Sequence, residues 1–149
     1  MSAEDKIKLN ALDPSISMND NLINGSAEGS LRTIGSFEEE GDYSLGQHAF
    51  TEGNTTKASG YASHAEGFGT IASGNVSHAE GYFTQVTSDW SHVEGFETLV
   101  SGNYAHAEGL NTIASDAGSH AEGTGTRASA EASHAEGSDT IASGIASHA

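Results

Sequence analysis

Histidine and glutamate recur together, two residues apart, in a five-residue motif that is repeated along most of the chain. The motif reads Ser-His-Ala-Glu-Gly at 63–67 and returns every fourteen residues as far as 133–137, with Val93 and Ala105 as its only replacements. Imidazole and carboxylate groups can pair, exchange protons or bind transition metals. Because one motif occurs six times and no HExxH signature is present, we expect a scaffold and no enzyme activity.

The repeated histidines and glutamates form two columns, and a fixed period of this kind is the signature of a repeat architecture. A last copy begins at 147–149 and stops in mid-motif, so we expect the protein to continue beyond residue 149. The two columns consist of His64, Glu66, His78, Glu80, His92, Glu94, His106, Glu108, His120, Glu122, His134, Glu136 and His148.

The fourteen-residue unit divides into two halves of seven, each of the form [Ser/Thr]-x-Ala-x-Gly-x-x. We call them the Ser half, as at 63–69, and the Thr half, as at 70–76. Five alternating residues followed by two linking residues are typical of a short strand and a tight turn. Two such strands per coil, stacked at about 4.8 Å, predict an all-β parallel roll, or solenoid, over residues 42–149.

Alternation places Ser or Thr, Ala and Gly on the inner face of the roll and the intervening residues on the outer face. Such small inner residues bury little apolar surface, so we expect other copies of the chain to supply the missing burial. The first outer column of the Thr half accepts Lys57, Gln85 and Arg127, which indicates a solvent-facing position. The His/Glu face is therefore assigned to contact between subunits, and Phe50 takes the histidine position in the first coil.

The first 41 residues lack the period. Residues 1–14 predict a short helix, with Ser2 as its N-cap and with its end at Asp13-Pro14, because the residue before proline disfavours the helical conformation. Residues 15–41 predict an irregular cap over the end of the roll, with one strand near 31–34.

Composition excludes several partners. The chain carries 21 Asp and Glu against five Lys and Arg, a formal net charge of −16, so no basic patch is available for nucleic acid. No cysteine is present, which excludes thiolate chemistry. No apolar run is long enough to span a bilayer, so we expect no membrane insertion. We also expect no cofactor.

The array over 42–149 resembles the left-handed parallel β-roll heads of trimeric autotransporter adhesins, whose repeats carry SVAIG-type inner strands. The SHAEG form is similar to repeats of bacteriophage tail-fibre and related surface proteins. The resemblance implies a left-handed homotrimer that acts as a rigid spacer and binds a carbohydrate or protein on the host surface. It implies a location in the virion or, alternatively, on a bacterial cell surface. The alternative function is the N-terminal stalk of a larger enzyme-bearing or self-cleaving spike with its catalytic domain beyond residue 149.

Under this resemblance, His and Glu stand where Val and Ile line the trimer core. Stacked glutamates repel one another within a chain, so we expect histidines of one chain to donate hydrogen bonds to glutamates of the next. Such pairing would raise the histidine pKa values. The alternative is a metal or an anion held by triads on the three-fold axis; our expectation is that no metal is bound.

Aromatic residues cluster at the two ends of the motif. Phe68, Tyr82 and Phe96 follow the motif glycine, whereas Trp90 and Tyr104 precede the first residue of the motif. Bulky corner residues can shield the end of a core by packing on adjacent coils. They can also form an exposed strip that contacts a carbohydrate or protein ligand.

Overall fold

The computed structural model describes residues 45–149 and three two-residue strands that precede them. The helix predicted over 1–14 lies outside the described residues, as does most of the cap predicted over 15–41. The first two short strands pair in antiparallel fashion, and the third pairs in parallel with the first coil of the roll. These strands are β1 (Ser17–Met18), β2 (Asn21–Leu22) and β3 (Leu31–Arg32).

The described repeats form a parallel β-solenoid of about seven turns, with two strands in each fourteen-residue coil, as predicted. The Ser halves supply β4 (Phe50–Asn54), β6 (His64–Phe68), β8 (His78–Tyr82), β10 (His92–Phe96), β12 (His106–Leu110), β14 (His120–Thr124) and β16 (His134–Ala135). The Thr halves supply β5 (Lys57–Ala58), β7 (Ile71–Ala72), β9 (Gln85–Val86), β11 (Leu99–Val100), β13 (Ile113–Ala114), β15 (Arg127–Ala128) and β17 (Ile141–Ala142).

Each set of strands forms one parallel sheet. The His/Glu sheet joins β3 to the Ser-half strands, and the Thr sheet contains the Thr-half strands. Equivalent residues pair directly, so that His78 lies beside His92 and Glu80 beside Glu94. A slip of one residue would turn the alanines outward, which is why the period fixes this register.

The two halves differ in strand length, which the sequence pattern did not predict. Strands of the Thr sheet end after two residues because the chain turns at once: the Ser77 hydroxyl donates to the Gly74 carbonyl at 2.6 Å across that turn. Complete strands of the His/Glu sheet continue through the motif glycine, as at Gly95 (φ 109°). A Cβ at Gly95 would collide with the carbonyl oxygen of Gly109 in the next coil, so only glycine fits there.

The interior is narrow and lined by small side chains, as expected. The alanine column is almost fully buried in both sheets, and Val86, Val93 and Val100 are its largest members. The inward threonines, such as Thr70, are buried with it. The motif glycines were expected on this inner face, but Gly67 and its equivalents are exposed or half-buried because the backbone bends outward at positive φ. In the described part of the chain, no helix is both long and apolar enough to cross a membrane.

Candidate functional site

The histidine column forms a continuous stack along the His/Glu sheet. From His64 to His134, adjacent imidazole centroids lie 4.5–4.9 Å apart and their planes agree within 8°. Phe50 covers the first imidazole at 4.9 Å, and His148 continues the stack at 4.7 Å from His134. The identical register of the parallel strands produces this arrangement, which brings the histidines of the ladder together within one chain.

The glutamate column runs beside the histidine column on the same strands. From β6 to β14, the Nε2 atom of each histidine lies 3.6–3.9 Å from an Oε2 atom of the glutamate two residues later. These separations are too long for hydrogen bonds. The Nε2 atoms are closed off from solvent and have no hydrogen-bond partner in His64, His78, His92, His106, His120 and His134. Each of these atoms is a polar group that lacks a partner within the single chain.

Burial within the stack lowers the pKa values of three of its histidines. Burial is the main cause of the lowered pKa of His78, and repulsion from His64 and His92 adds to it. Burial likewise lowers the pKa values of His92 and His120, again with a contribution from the neighbouring imidazoles. In the single chain, burial and then repulsion between imidazoles outweigh the nearby carboxylates and lower these three pKa values. The rise expected on pairing with a glutamate of another chain stays a prediction.

Burial and neighbouring carboxylates shift the pKa values of Glu80, Glu94 and Glu108. Hydrogen bonds to Glu94 and Glu66 raise the pKa of Glu80 to about 7. The same hydrogen bond with Glu80 lowers the pKa of Glu94, and burial raises that of Glu108. Glu80 therefore keeps its proton to a higher pH than an ordinary glutamate, which is the effect expected of closely spaced carboxylates.

The glutamates and the motif glycines line one open groove of about 870 Å³ along the outside of the roll. Its length follows the column from Glu52 to Gly123. The glycines leave the groove without side chains on one side, whereas the glutamates make the other side acidic. The arrangement suits cations, protonated groups or the complementary surface of another protein chain.

Three groups of imidazole and carboxylate atoms contain two histidines and one glutamate, and two further groups contain one histidine and two glutamates. In each group the three possible ligand atoms lie within 4.8 Å of one another. The groups are His64/Glu66/His78, His120/Glu122/His134, His134/Glu136/His148, Glu80/His92/Glu94 and Glu94/His106/Glu108.

The aromatic residues form two exposed stacks, one at each end of the motif. Tyr82 lies 5.2 Å from Phe68 and 4.9 Å from Phe96, with nearly parallel rings. Trp90 stacks on Tyr104 at 5.1 Å at the other end. Phe68 is 39% exposed and Tyr104 is 65% exposed, so the rings pack on adjacent coils and still face outward. The same residues thus pack on adjacent coils and remain exposed, whereas their contact with a ligand stays a prediction.

Sequence reasoning missed two members of these surfaces. The Phe83 ring meets Phe68 and Tyr82 edge-on, at 5.5 and 4.7 Å, and Tyr61 contacts His48 in the same way at 5.4 Å. Phe83 occupies a corner position where the preceding coil has Gly69, and both have positive φ. The sequence signal for Phe83 was its bulk, because the equivalent linking position of the other coils contains small or polar residues.

The fold and the site together define a parallel β-solenoid repeat protein whose outer face carries a histidine column beside a carboxylate column. A scan against protein-family models, a search of curated proteins and a search of solved structures each found no match to this chain.

Proposed function

We propose that the chain is a structural and adhesive segment of a trimeric bacteriophage tail fibre or a similar surface appendage. It acts as a rigid spacer, and its exposed surface binds a carbohydrate or protein of the host. The observation that carries the proposal is the row of unpartnered Nε2 atoms on the regular outer face of the His/Glu sheet.

The unpartnered atoms favour an interface because a closed-off polar group without a hydrogen bond costs free energy. A second copy of the same face offers carboxylates at the same spacing along the roll, since every chain repeats one register. Three chains meeting through this face would pair each His column with a Glu column of a neighbour. The left-handed winding and three-fold symmetry belong to this proposal, and both follow the resemblance to adhesin heads.

The narrow interior is a second support for association. Its side chains are almost all alanine, serine and threonine, with three valines as the largest residues. Replacing a buried leucine by alanine removes about three methylenes, at ~0.8 kcal/mol each, so this interior provides far less stabilisation than a leucine-rich one. Packing the outer face of the His/Glu sheet against other chains would add van der Waals contacts and hydrogen bonds that the narrow interior does not provide.

Sedimentation equilibrium tests the association with a matched pair of variants. We expect a mass of three chains for the unaltered protein and for Leu99→Lys, because the Leu99 column already contains Lys57 and Arg127. We expect His92→Lys to dissociate the trimer, because it places a fixed charge in the stacked column. A monomeric unaltered protein would overturn the proposal, and so would equal dissociation of the two variants.

The adhesive part of the proposal rests on the exposed aromatic stacks. Stacked rings with one open face suit sugars and apolar protein side chains. A glycan array probed with the unaltered protein and with Tyr104→Ala tests it. Binding that Tyr104→Ala weakens supports adhesion through this surface, and an array without any bound glycan leaves a spacer role alone.

A further inference from the structure

We propose that the His/Glu ladder binds divalent transition-metal ions of the zinc type, with His64, Glu66 and His78 as the best-formed site. All three ligands belong to one chain, so this inference goes beyond the proposed trimer and does not depend on it.

The spacing of the ligand atoms matches a small four-coordinate ion. Zinc bonds of about 2.0–2.2 Å at tetrahedral angles place neighbouring ligand atoms about 3.4 Å apart. His64 Nε2 and Glu66 Oε2 are 3.6 Å apart, the closest such pair on the complete strands of the sheet. His64 and His78 are also the closest pair of stacked imidazoles, with centroids 4.5 Å apart. A rotation of the His78 ring towards Glu66 completes the three-ligand set.

The hydrogen-bonding state of the same atoms independently indicates a ligand. The Nε2 atoms of His64 and His78 have no hydrogen-bond partner, although both are closed off from solvent. A bound cation would accept both lone pairs. It would also offset the repulsion within the carboxylate column of a chain whose net charge is −16. Imidazole and carboxylate together favour zinc, nickel and copper over magnesium and calcium.

Two imidazoles and one carboxylate leave one of four tetrahedral positions open. Water fills this position when the chain is alone. In an assembly, the position is available to a side chain of a neighbouring subunit.

The ladder repeats the site, but neighbouring groups compete for shared ligands. Five groups have suitable composition and spacing among the described residues. Two of them share Glu94, and two others share His134. At most three groups can therefore be filled at once in each chain.

Metal titration of the full chain tests the proposal. Metal-free protein at pH 7.5 is titrated with Co²⁺, whose visible d–d absorption reports tetrahedral nitrogen and oxygen ligands, and with Zn²⁺ by calorimetry. We expect saturation near three ions per chain. His64→Gln and Glu66→Gln should each lose one ion. The matched controls His48→Gln and Glu97→Gln change exposed residues outside the two columns and should keep all ions.

The absence of cobalt absorption and of zinc binding heat would overturn the proposal. Equal stoichiometry in His64→Gln and the unaltered protein would also overturn it. Circular dichroism of each sample checks that the β-structure is retained, and Glu66→Gln replaces His64→Gln if the latter fails to fold. Sedimentation of the same samples separates the two proposals. A monomer that binds three ions would support the metal site and overturn the trimer, whereas a trimer that binds no ions would support the trimer and overturn the metal site.

Discussion

The two sheets of the roll have the same pitch and the same interior but very different outer faces. In the Thr sheet, the outer column varies freely among Ile, Leu, Lys, Gln and Arg. In the His/Glu sheet, every coil from 63 to 137 repeats the same histidine and glutamate, and the histidine Nε2 atoms lack hydrogen-bond partners. Packing of the roll constrains only the inner residues. This difference is the reason that we propose the outer face of the His/Glu sheet as the contact between chains.

The turns that follow the strands also differ between the two sheets, and again the His/Glu sheet is the more uniform one. The His/Glu sheet turns through glycines at positive φ, as at Gly95, in every complete strand. The corresponding position of the Thr sheet contains glycine in some coils and Ser88, Asp116 or Ala130 in others. Glycines of both corners lie against a carbonyl oxygen of the next coil, but only those of the His/Glu sheet also have positive φ, and only the Thr-sheet corner contains residues with side chains.

Substitution of these glycines has the largest expected effect. Gly95→Ala combines a left-handed backbone with a collision against the next coil, and should lower the free energy of unfolding by about 3 kcal/mol. Gly102→Ala would also bring a Cβ against a carbonyl oxygen of the next coil, that of Asp116, but without a positive φ. Other coils have side chains at this corner, so we expect a smaller loss of unfolding free energy. Chemical denaturation of both variants measures the difference. Equal losses would contradict the distinction between the corners.

Truncation of the central valines tests whether the two sheets share one interior. Val93→Ala in the His/Glu sheet and Val100→Ala in the Thr sheet should each lower the free energy of unfolding by roughly 2 kcal/mol, because each loses buried surface and leaves a cavity. Both side chains are fully buried. Ile141→Ala, at a side chain that is 63% exposed, is the control and should change stability by less than about 0.5 kcal/mol. Chemical denaturation measures these losses. A large difference in unfolding free energy between the two valine variants would contradict a shared interior.

The pH dependence of stability should come from the His/Glu sheet alone. Because the folded pKa values of His78, His92 and His120 lie below 6.5, the unfolded chain binds protons first, and stability falls as pH decreases below about 6.5. Glu80 acts oppositely, because its pKa of about 7 stabilises the protonated fold as pH decreases from 7 towards 4.5.

Thermal melting in metal-free buffer between pH 7.5 and 5.5 measures this balance. We expect His92→Gln to flatten the decrease in melting temperature on acidification and Glu80→Gln to steepen it. Gln85→Glu, on the Thr sheet, is the control for an added titratable group. If the dependence of melting temperature on pH is unchanged in both His92→Gln and Glu80→Gln, the assignment of these pKa shifts is contradicted.

The smallest effect is expected at the corner that precedes the motif serine. Val76 has φ 53°, a conformation that β-branched residues avoid, and Gly118 occupies the equivalent position of another coil. Val76→Gly should therefore raise stability, by up to about 1 kcal/mol. Ile145→Gly is the control, because Ile145 is exposed and does not have a positive φ, and it should not raise the free energy of unfolding. Chemical denaturation measures both variants. Stability that falls equally in both variants would remove backbone strain as the explanation.

The period predicted the coil length, the register and the inward alanines, because a two-residue alternation leaves only one way to bury small side chains. It could not predict the unequal strands, which depend on the early turn that the Ser77 hydroxyl bridges to Gly74. It also could not predict the lowered pKa of His78, which depends on the distance between stacked rings and on burial in three dimensions. Phe83 was missed because it lies in a linker column.

The central claim is that the outer face of the His/Glu sheet is the contact between chains. The chain has no cysteine, so single cysteines can report proximity without background. We expect mild oxidation to cross-link Glu94→Cys between chains, and to leave Leu99→Cys, on the Thr sheet of the same coil, uncross-linked. Cross-linking of Leu99→Cys without cross-linking of Glu94→Cys would contradict the account.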